Sequence, residues 1–204
     1  MVGEQLRGRG LRDWRVLSAM AKVPREEFIA AEYASEAYGD FPVPIASGQT
    51  ISQPYIVASM LEKLEVRPRN RVLEVGTGTG YQAALLGELA AEVWTIERHA
   101  ELAEQAQAIL AKLGYAKVHV IHGDGSRGLA ERAPFDRIVV AAAAPQVPDA
   151  LVAQLAEGGK LILPVGNRYE QQLQIVRKLG GQISSTTADL CRFVPLLGEY
   201  GWRE

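Results

Sequence analysis

The sequence predicts an α/β fold, with helices on both faces of a doubly wound, mostly parallel sheet. Two observations carry this. From Arg71 onward, short apolar runs alternate with stretches of helical period, at the spacing of βαβ units. The first of these runs, RVLEV, leads straight into a turn holding Gly76, Gly78 and Gly80 and from there into a helical pattern. A chain of 204 residues, 48% apolar and 23% charged, has material for one core, and no repeat or Gly/Ser/Pro-rich linker divides it. We read a single domain, 1–204, with an N-terminal helical and loop extension (1–70) and an α/β core (71–204).

Residues 11–33 predict helices broken at Pro24: Leu17, Met20 and Ala21 share a helical face, and Pro24 suits the first position of PREEFIAAEY. Residues 34–50 hold Gly and Pro clusters and no period, a long loop of the kind that lies near functional sites. In QPYIVASMLEKL, Ile56, Val57, Met60, Leu61 and Leu64 form one stripe, Pro54 falls in the first turn, and Ser52 or Gln53 is expected to cap the helix.

The core then reads as strand RVLEV, helix YQAALLGELA and strand VWTIE, followed by a helix along Leu102, Ala106, Ile109, Leu110 and Leu113 that stops at Gly114. Strands VHVIHGD and FDRIVVAA, helix PDALVAQLA and strand KLILPV follow. After Gly166 the runs QLQIVRK, GGQISSTTADL and RFVPLL are strand-like with turns between them, which predicts antiparallel strands added at one sheet edge.

Composition narrows the function. With 22 Lys and Arg against 24 Asp and Glu, the net charge of -2 offers no basic field for a nucleic-acid backbone. The longest apolar run, Ile138 to Pro145, falls far short of the roughly 18 residues of a spanning helix. The opening MVGEQLRGRGLRDW is charged where a secretory signal would be apolar, and a single cysteine forms no intrachain disulfide, so a reducing cytoplasm is expected. Cys191, in DLCRFVPLL, reads as a buried structural thiol. His119 and His122 fall on opposite faces of one strand and His99 at a helix start, so no metal site is expected.

The glycine turn carries the chemistry. Glycines between a strand and a helix let the main chain turn sharply and let a ligand approach it. A dinucleotide G-x-G-x-x-G would need glycine at Tyr81, and a G-x-x-x-x-G-K-[ST] phosphate loop is absent. Glu97, 21 residues after Gly76 at the end of VWTIE, stands where a second strand offers a carboxylate to ribose hydroxyls. Asp124, in HGDGSRG at the end of the third strand, is placed to accept from a purine amine. Together they suggest an adenosine.

These residues resemble class I S-adenosylmethionine-dependent methyltransferases in VLEVGTGTGY and the acidic strand end that follows. More narrowly, SGQTISQPYIVASMLEKL, HGDGSRGL, PFDRIVVAAAAPQVPDALVAQLAEGGKLILPVG and VPLLGEYGW resemble the protein-L-isoaspartate O-methyltransferases, over roughly residues 15 to 202. The resemblance implies a seven-stranded sheet and S-adenosyl-L-methionine bound at Gly76, Thr77, Gly78 and Gly80, with S-adenosyl-L-homocysteine as product. It further implies Glu97 on the ribose, Asp124 and Gly125 near the adenine, contributions from Thr50, Ile51, Glu74 and Arg98, and Ser52 as the active-site serine. The tail departs from longer family members, so Leu197 and Trp202 carry less weight as site residues than Ser52.

The implied substrates are isoaspartyl proteins and peptides, acted on by a monomer that engages neither nucleic acid nor membrane. Methyl transfer to a carboxylate, already anionic near neutral pH, needs no strong base, which suits a chain without a Ser/His/Asp or Cys/His constellation. Ser52 would orient the carboxylate, at a helix N-terminus that favours anions. Three other readings stand beside this one: a class I methyltransferase acting on RNA or a small molecule, a nicotinamide oxidoreductase, and a non-catalytic nucleoside-binding module. The glycine spacing weighs against the oxidoreductase. The first would be favoured by an Asn/Asp-Pro-Pro-aromatic segment after the fourth strand, where this chain has VVAAAAPQVP.

Overall fold

The computed structural model describes residues 1–203. Helix α1 (Trp14–Lys22) opens on Asp13, whose carboxylate accepts the Arg15 N–H at 2.9 Å, and buries Val16, Leu17, Ala19 and Met20. That stripe centres on Val16 and Met20, which turns Ala21 out to solvent, against the expectation that it shares the buried face. Pro24 does not open an α-helix either. Arg25–Phe28 and Ala31–Glu36 form two 3-10 segments, separated by an extended Ile29. Phe28 and Ile29 are both buried, and successive positions of a continuous helix would point about 100° apart.

The predicted loop contains a minimal hairpin, β1 (Val43–Pro44) paired antiparallel with β2 (Thr50–Ile51). Helix α2 (Pro54–Leu64) follows, with Gln53 at its cap position and no capping bond from that side chain. Neither Ser52 nor Gln53 supplies the expected cap, because the N–H of Tyr55 is taken across the loop by Asp40 Oδ1 at 3.1 Å.

The core strands are β3 (Arg71–Val75), β4 (Glu92–Glu97), β5 (Val118–His122), β6 (Phe135–Val140), β7 (Leu155–Gly166), β8 (Gln171–Leu179) and β9 (Gln182–Cys191). Between them lie α3 (Tyr81–Leu89), α4 (Ala100–Lys112) and a short α5 (Asp149–Ala153). The sheet runs β5-β4-β3-β6-β7-β8-β9, with parallel pairing from β5 to β7 and antiparallel pairing at β8 and β9. This is the predicted seven-stranded, mostly parallel sheet with an antiparallel edge. Strand β7 starts earlier than KLILPV, which limits α5 to five residues.

RFVPLL does not form a further strand; its link to the sheet is an isolated parallel bridge of Pro195 to Ala143. Proline brings no N–H to a ladder, so the segment runs past the end of β6 instead of extending an edge. Cys191 is half-buried, not buried, because β9 is the outermost strand.

Each face of the sheet is buried. Val72, Val93, Val139 and Ile162 point to the side packed by α1, α2 and α3. Leu73, Ile96, Ile138 and Leu161 point to the other, covered by Leu151 of α5 and Leu129. Chain order reverses beside β3: β4 and β5 build outward on one side, and β6 restarts on the other. That reversal leaves a crevice above the carboxyl ends of β3 and β6, where open α/β sheets bind ligands.

Candidate active site

The glycine turn forms the floor of that crevice. Gly76 has φ 93° and Gly78 φ 54°, left-handed values that disfavour a side chain. The ladder continues into it, with the Gly76 N–H on the Ile96 carbonyl and the Ala141 N–H on the Val75 carbonyl, both at 2.8 Å. Ile96, Gly76 and Ala141 therefore stand side by side on the cavity wall.

Glu97 is 6% exposed at the tip of β4. Its Oε2 accepts the Gly78 N–H at 2.9 Å and its Oε1 the His99 N–H at 3.0 Å. The carboxylate is thereby fixed between the glycine turn and the start of α4, with its side chain on the cavity.

Beneath the turn lies a second carboxyl. Glu74 is fully buried, and Thr95 Oγ1 donates to its Oε2 at 2.6 Å, with Thr77 Oγ1 a further 2.6 Å from Thr95. Burial above all, with the nearby Glu97 charge adding to it, pushes the Glu74 pKa up to about 8, so this side chain is mainly neutral at pH 7. The side chain of Gln82, a residue on the cavity, helps to hold this carboxyl. The buried Thr79 Oγ1, of a residue also on the cavity, has no partner among the described residues; buried polar atoms are rarely left alone, so the site is incomplete in a way that a polar ligand completes.

The loop before α2 forms the facing rim, with Thr50, Ile51 and Ser52 on the cavity. Arg25, fully buried, holds it: Nε donates to the Ala37 carbonyl at 2.7 Å and Nη2 to the Ser52 carbonyl at 2.8 Å. The guanidinium also lies over the Tyr81 ring, 4.6 Å from its centroid, at the start of α3. Asp40, which supplies the anion at the α2 N-terminus, pairs with Arg9 at 2.6 Å. The anion seat of that helix is thus already filled, and what Ser52 offers a carboxylate is its hydroxyl.

Of the residues singled out from sequence, Gly76, Thr77, Gly78, Glu97, Arg98 and Gly125 also line the cavity. Three do not. Glu74 lies below the floor, and Gly80 turns toward α4, where a Cβ would come within 3.3 Å of Leu110. Asp124 is engaged by Ser126 and Glu199. Sequence reasoning missed Gln82, Tyr81, His99, Ala141 and the wall Val194–Leu196. Leu197, to which sequence reasoning attached less weight, continues that wall. Gln82 carried a signal: a polar residue in the first turn of α3, directly ahead of the apolar run Ala83–Leu86. Among the described residues, no group of three or more His, Cys, Asp or Glu could hold a metal ion, and no helix is long and apolar enough to cross a membrane.

A family model described as protein-L-isoaspartate(D-aspartate) O-methyltransferase matches residues 1–201. The chain belongs to this family. A protein-L-isoaspartate O-methyltransferase of Koribacter versatilis is 61% identical over 202 residues, which cover 99% of this chain and 91% of the relative. One of Methanoregula boonei is 52% identical, covering 99% and 93%. Among solved structures, a candidate family member from Plasmodium falciparum in complex with S-adenosyl-L-homocysteine superposes with TM-score 0.85 at 30% identity, covering 96% of each chain. Another protein-L-isoaspartate O-methyltransferase gives TM-score 0.88 at 29% identity, covering 98% of this chain and 67% of its own. The family's fold, read from its motifs in the sequence, is the fold observed.

Proposed function

We propose that this chain transfers a methyl group from S-adenosyl-L-methionine to the free α-carboxylate of L-isoaspartyl residues in proteins and peptides. Family membership over nearly the whole chain supports it, and the observation that carries it is the cavity itself. It joins a nucleoside-type floor, with Glu97 on the second strand tip, to a rim that carries Ser52.

When bound, S-adenosyl-L-methionine supplies an electrophilic methyl group on a positively charged sulfur. The residues of the chain bind and aim. Glu97 accepts from the ribose hydroxyls, Gly76 to Gly78 bring main chain against the ligand, and Thr79 finds a polar partner in it. Gly125 and Ile96 form the adenine side, and Ser52 orients the acceptor carboxylate for in-line attack. The apolar walls Ile51 and Val57 keep water off the reacting atoms. The carboxylate oxygen gains the methyl carbon as the carbon–sulfur bond breaks and its electrons return to sulfur. In the ester formed, methoxide leaves far more readily than oxide does from a carboxylate, so the neighbouring backbone nitrogen attacks the ester carbonyl. The carbon–oxygen bond breaks, methanol departs with the amide proton, and a succinimide closes; hydrolysis of that ring returns part of the chain to normal aspartate.

The reading extends to a monomer that works in the cytoplasm without nucleic acid, and to one folding unit. Its support is the absence of a basic excess and a continuous core in which Leu17, Met20 and Leu61 of the extension join Val72 and Leu85. The test is methylation with a labelled donor of two hexapeptides that differ only in one isoaspartyl or normal aspartyl linkage. The isoaspartyl peptide takes up label and its isomer does not; equal labelling, or preferential labelling of transfer RNA, refutes the assignment.

A further inference from the structure

The chain end is fastened to the loop after β5 by side chains. Asp124 Oδ2 accepts the Glu199 N–H at 2.9 Å, and Ser126 Oγ accepts the Tyr200 N–H at 3.0 Å. The Ser126 hydroxyl donates in turn to Asp124 Oδ1 at 2.7 Å, and the Ser126 amide donates to the same oxygen at 2.9 Å. Ser126 is fully buried, so its hydroxyl is committed to this arrangement. The contact is close: a Cβ on Gly198 would lie 2.1 Å from Asp124 Oδ1 and 2.5 Å from Ser126 Oγ. The Arg127–Glu199 ion pair nearby is largely exposed and adds little.

The stretch just before this turn is one wall of the cavity. It is held to the end of β6 by main-chain bonds, Leu196 N–H to Ala143 O at 2.8 Å and Ala143 N–H to Val194 O at 2.7 Å. The Trp202 N–H returns to Leu196 O at 2.7 Å and closes the turn on itself. One side of the wall is thus fixed by backbone, and the turn behind it is held by Ser126 and Asp124, which are not themselves on the cavity lining, and by the Trp202 indole N–H on Ala143 O at 3.1 Å.

We propose that Ser126, acting together with Asp124, is a positioning residue: it clamps the Gly198–Trp202 turn and so seats Val194–Leu197 against the bound methyl donor. The proposal rests on the reading of the cavity as the donor site. Loss of one hydroxyl unties the Tyr200 amide and frees one side of the Asp124 carboxylate. The wall then loosens on its outer side while the glycine floor and Ser52 stay in place.

The test compares the full-length chain with Ser126→Ala and with Gly198→Ala, whose added methyl forces the turn apart from the Asp124 and Ser126 side chains. Three quantities are measured: amide hydrogen exchange at Glu199 and Tyr200, the dissociation constant of S-adenosyl-L-homocysteine, and steady-state kinetics on the isoaspartyl hexapeptide. Both variants are expected to exchange faster at these amides and to bind S-adenosyl-L-homocysteine about three- to tenfold more weakly, the worth of one or two hydrogen bonds. KM for the donor rises, while kcat at saturating donor and KM for the peptide hold. Unchanged exchange in a folded variant overturns the clamp, and so does loosened exchange with unchanged affinity, or an equal fall in kcat and rise in peptide KM. Failure of the wild-type chain to bind S-adenosyl-L-homocysteine refutes the donor-site reading instead.

Discussion

Arg25 reaches out of the N-terminal extension and donates from Nη2 to the carbonyl of Ser52 at 2.8 Å. A buried cation thus fixes the backbone of the residue assigned to orient the substrate, and through Tyr81 it ties that residue to the helix that starts at the glycine turn. Burial pulls the Arg25 pKa below its ordinary value.

Replacing Arg25 by Lys keeps a charge but cannot satisfy the carbonyls of both Ala37 and Ser52. We expect kcat to fall about tenfold, and affinity for S-adenosyl-L-homocysteine to change less than about twofold, since a hydrogen bond is lost at the rim and none at the floor. Parallel kinetics and calorimetry check this. An equal loss in both would place Arg25 in general stability instead.

Ser52→Ala is expected to lower kcat about 10- to 100-fold, the range of one hydrogen bond to a charged group, with little effect on donor binding. Turnover equal to wild type would remove Ser52 from its role.

For Glu97→Ala the pattern reverses. The ribose acceptor is lost, and the Gly78 and His99 amides lose their partner. Calorimetry should show S-adenosyl-L-homocysteine bound at least about tenfold more weakly. An unchanged dissociation constant would contradict the ribose assignment.

Glu74 gives a pH prediction. Burial raises its pKa from 4.5 to about 8, so the folded chain keeps a proton that the unfolded chain releases through that window. Its contribution to stability is fullest below pH 4.5 and declines as pH rises toward 8. Glu74→Gln, which is neutral at every pH, should gain in melting temperature relative to wild type on going from about pH 5 to about pH 8.5. A difference independent of pH would show that the carboxyl ionises normally.

The sequence already contained what is local. RVLEV, the glycine turn and the stripe of α4 are each set by period or by backbone conformation, and they stand where the pattern put them. Contacts between distant segments left no such mark. Arg25 sits in a charged run, REE, that carries no sign of burial, yet it is fully buried. The Asp40 cap lies 15 residues from Tyr55, so the helix start looked like the work of Ser52 or Gln53. The tail looked like another strand because RFVPLL is apolar, and its apolarity serves the cavity wall instead.

The most direct test of the account is a crystal of the chain grown with S-adenosyl-L-homocysteine. The account predicts the ribose on Glu97, the sulfur between the glycine turn and Ser52, and the adenine beside Gly125 and Ile96. Density for the nucleoside elsewhere, or no density over the tips of β3 and β4 at saturating ligand, would contradict it.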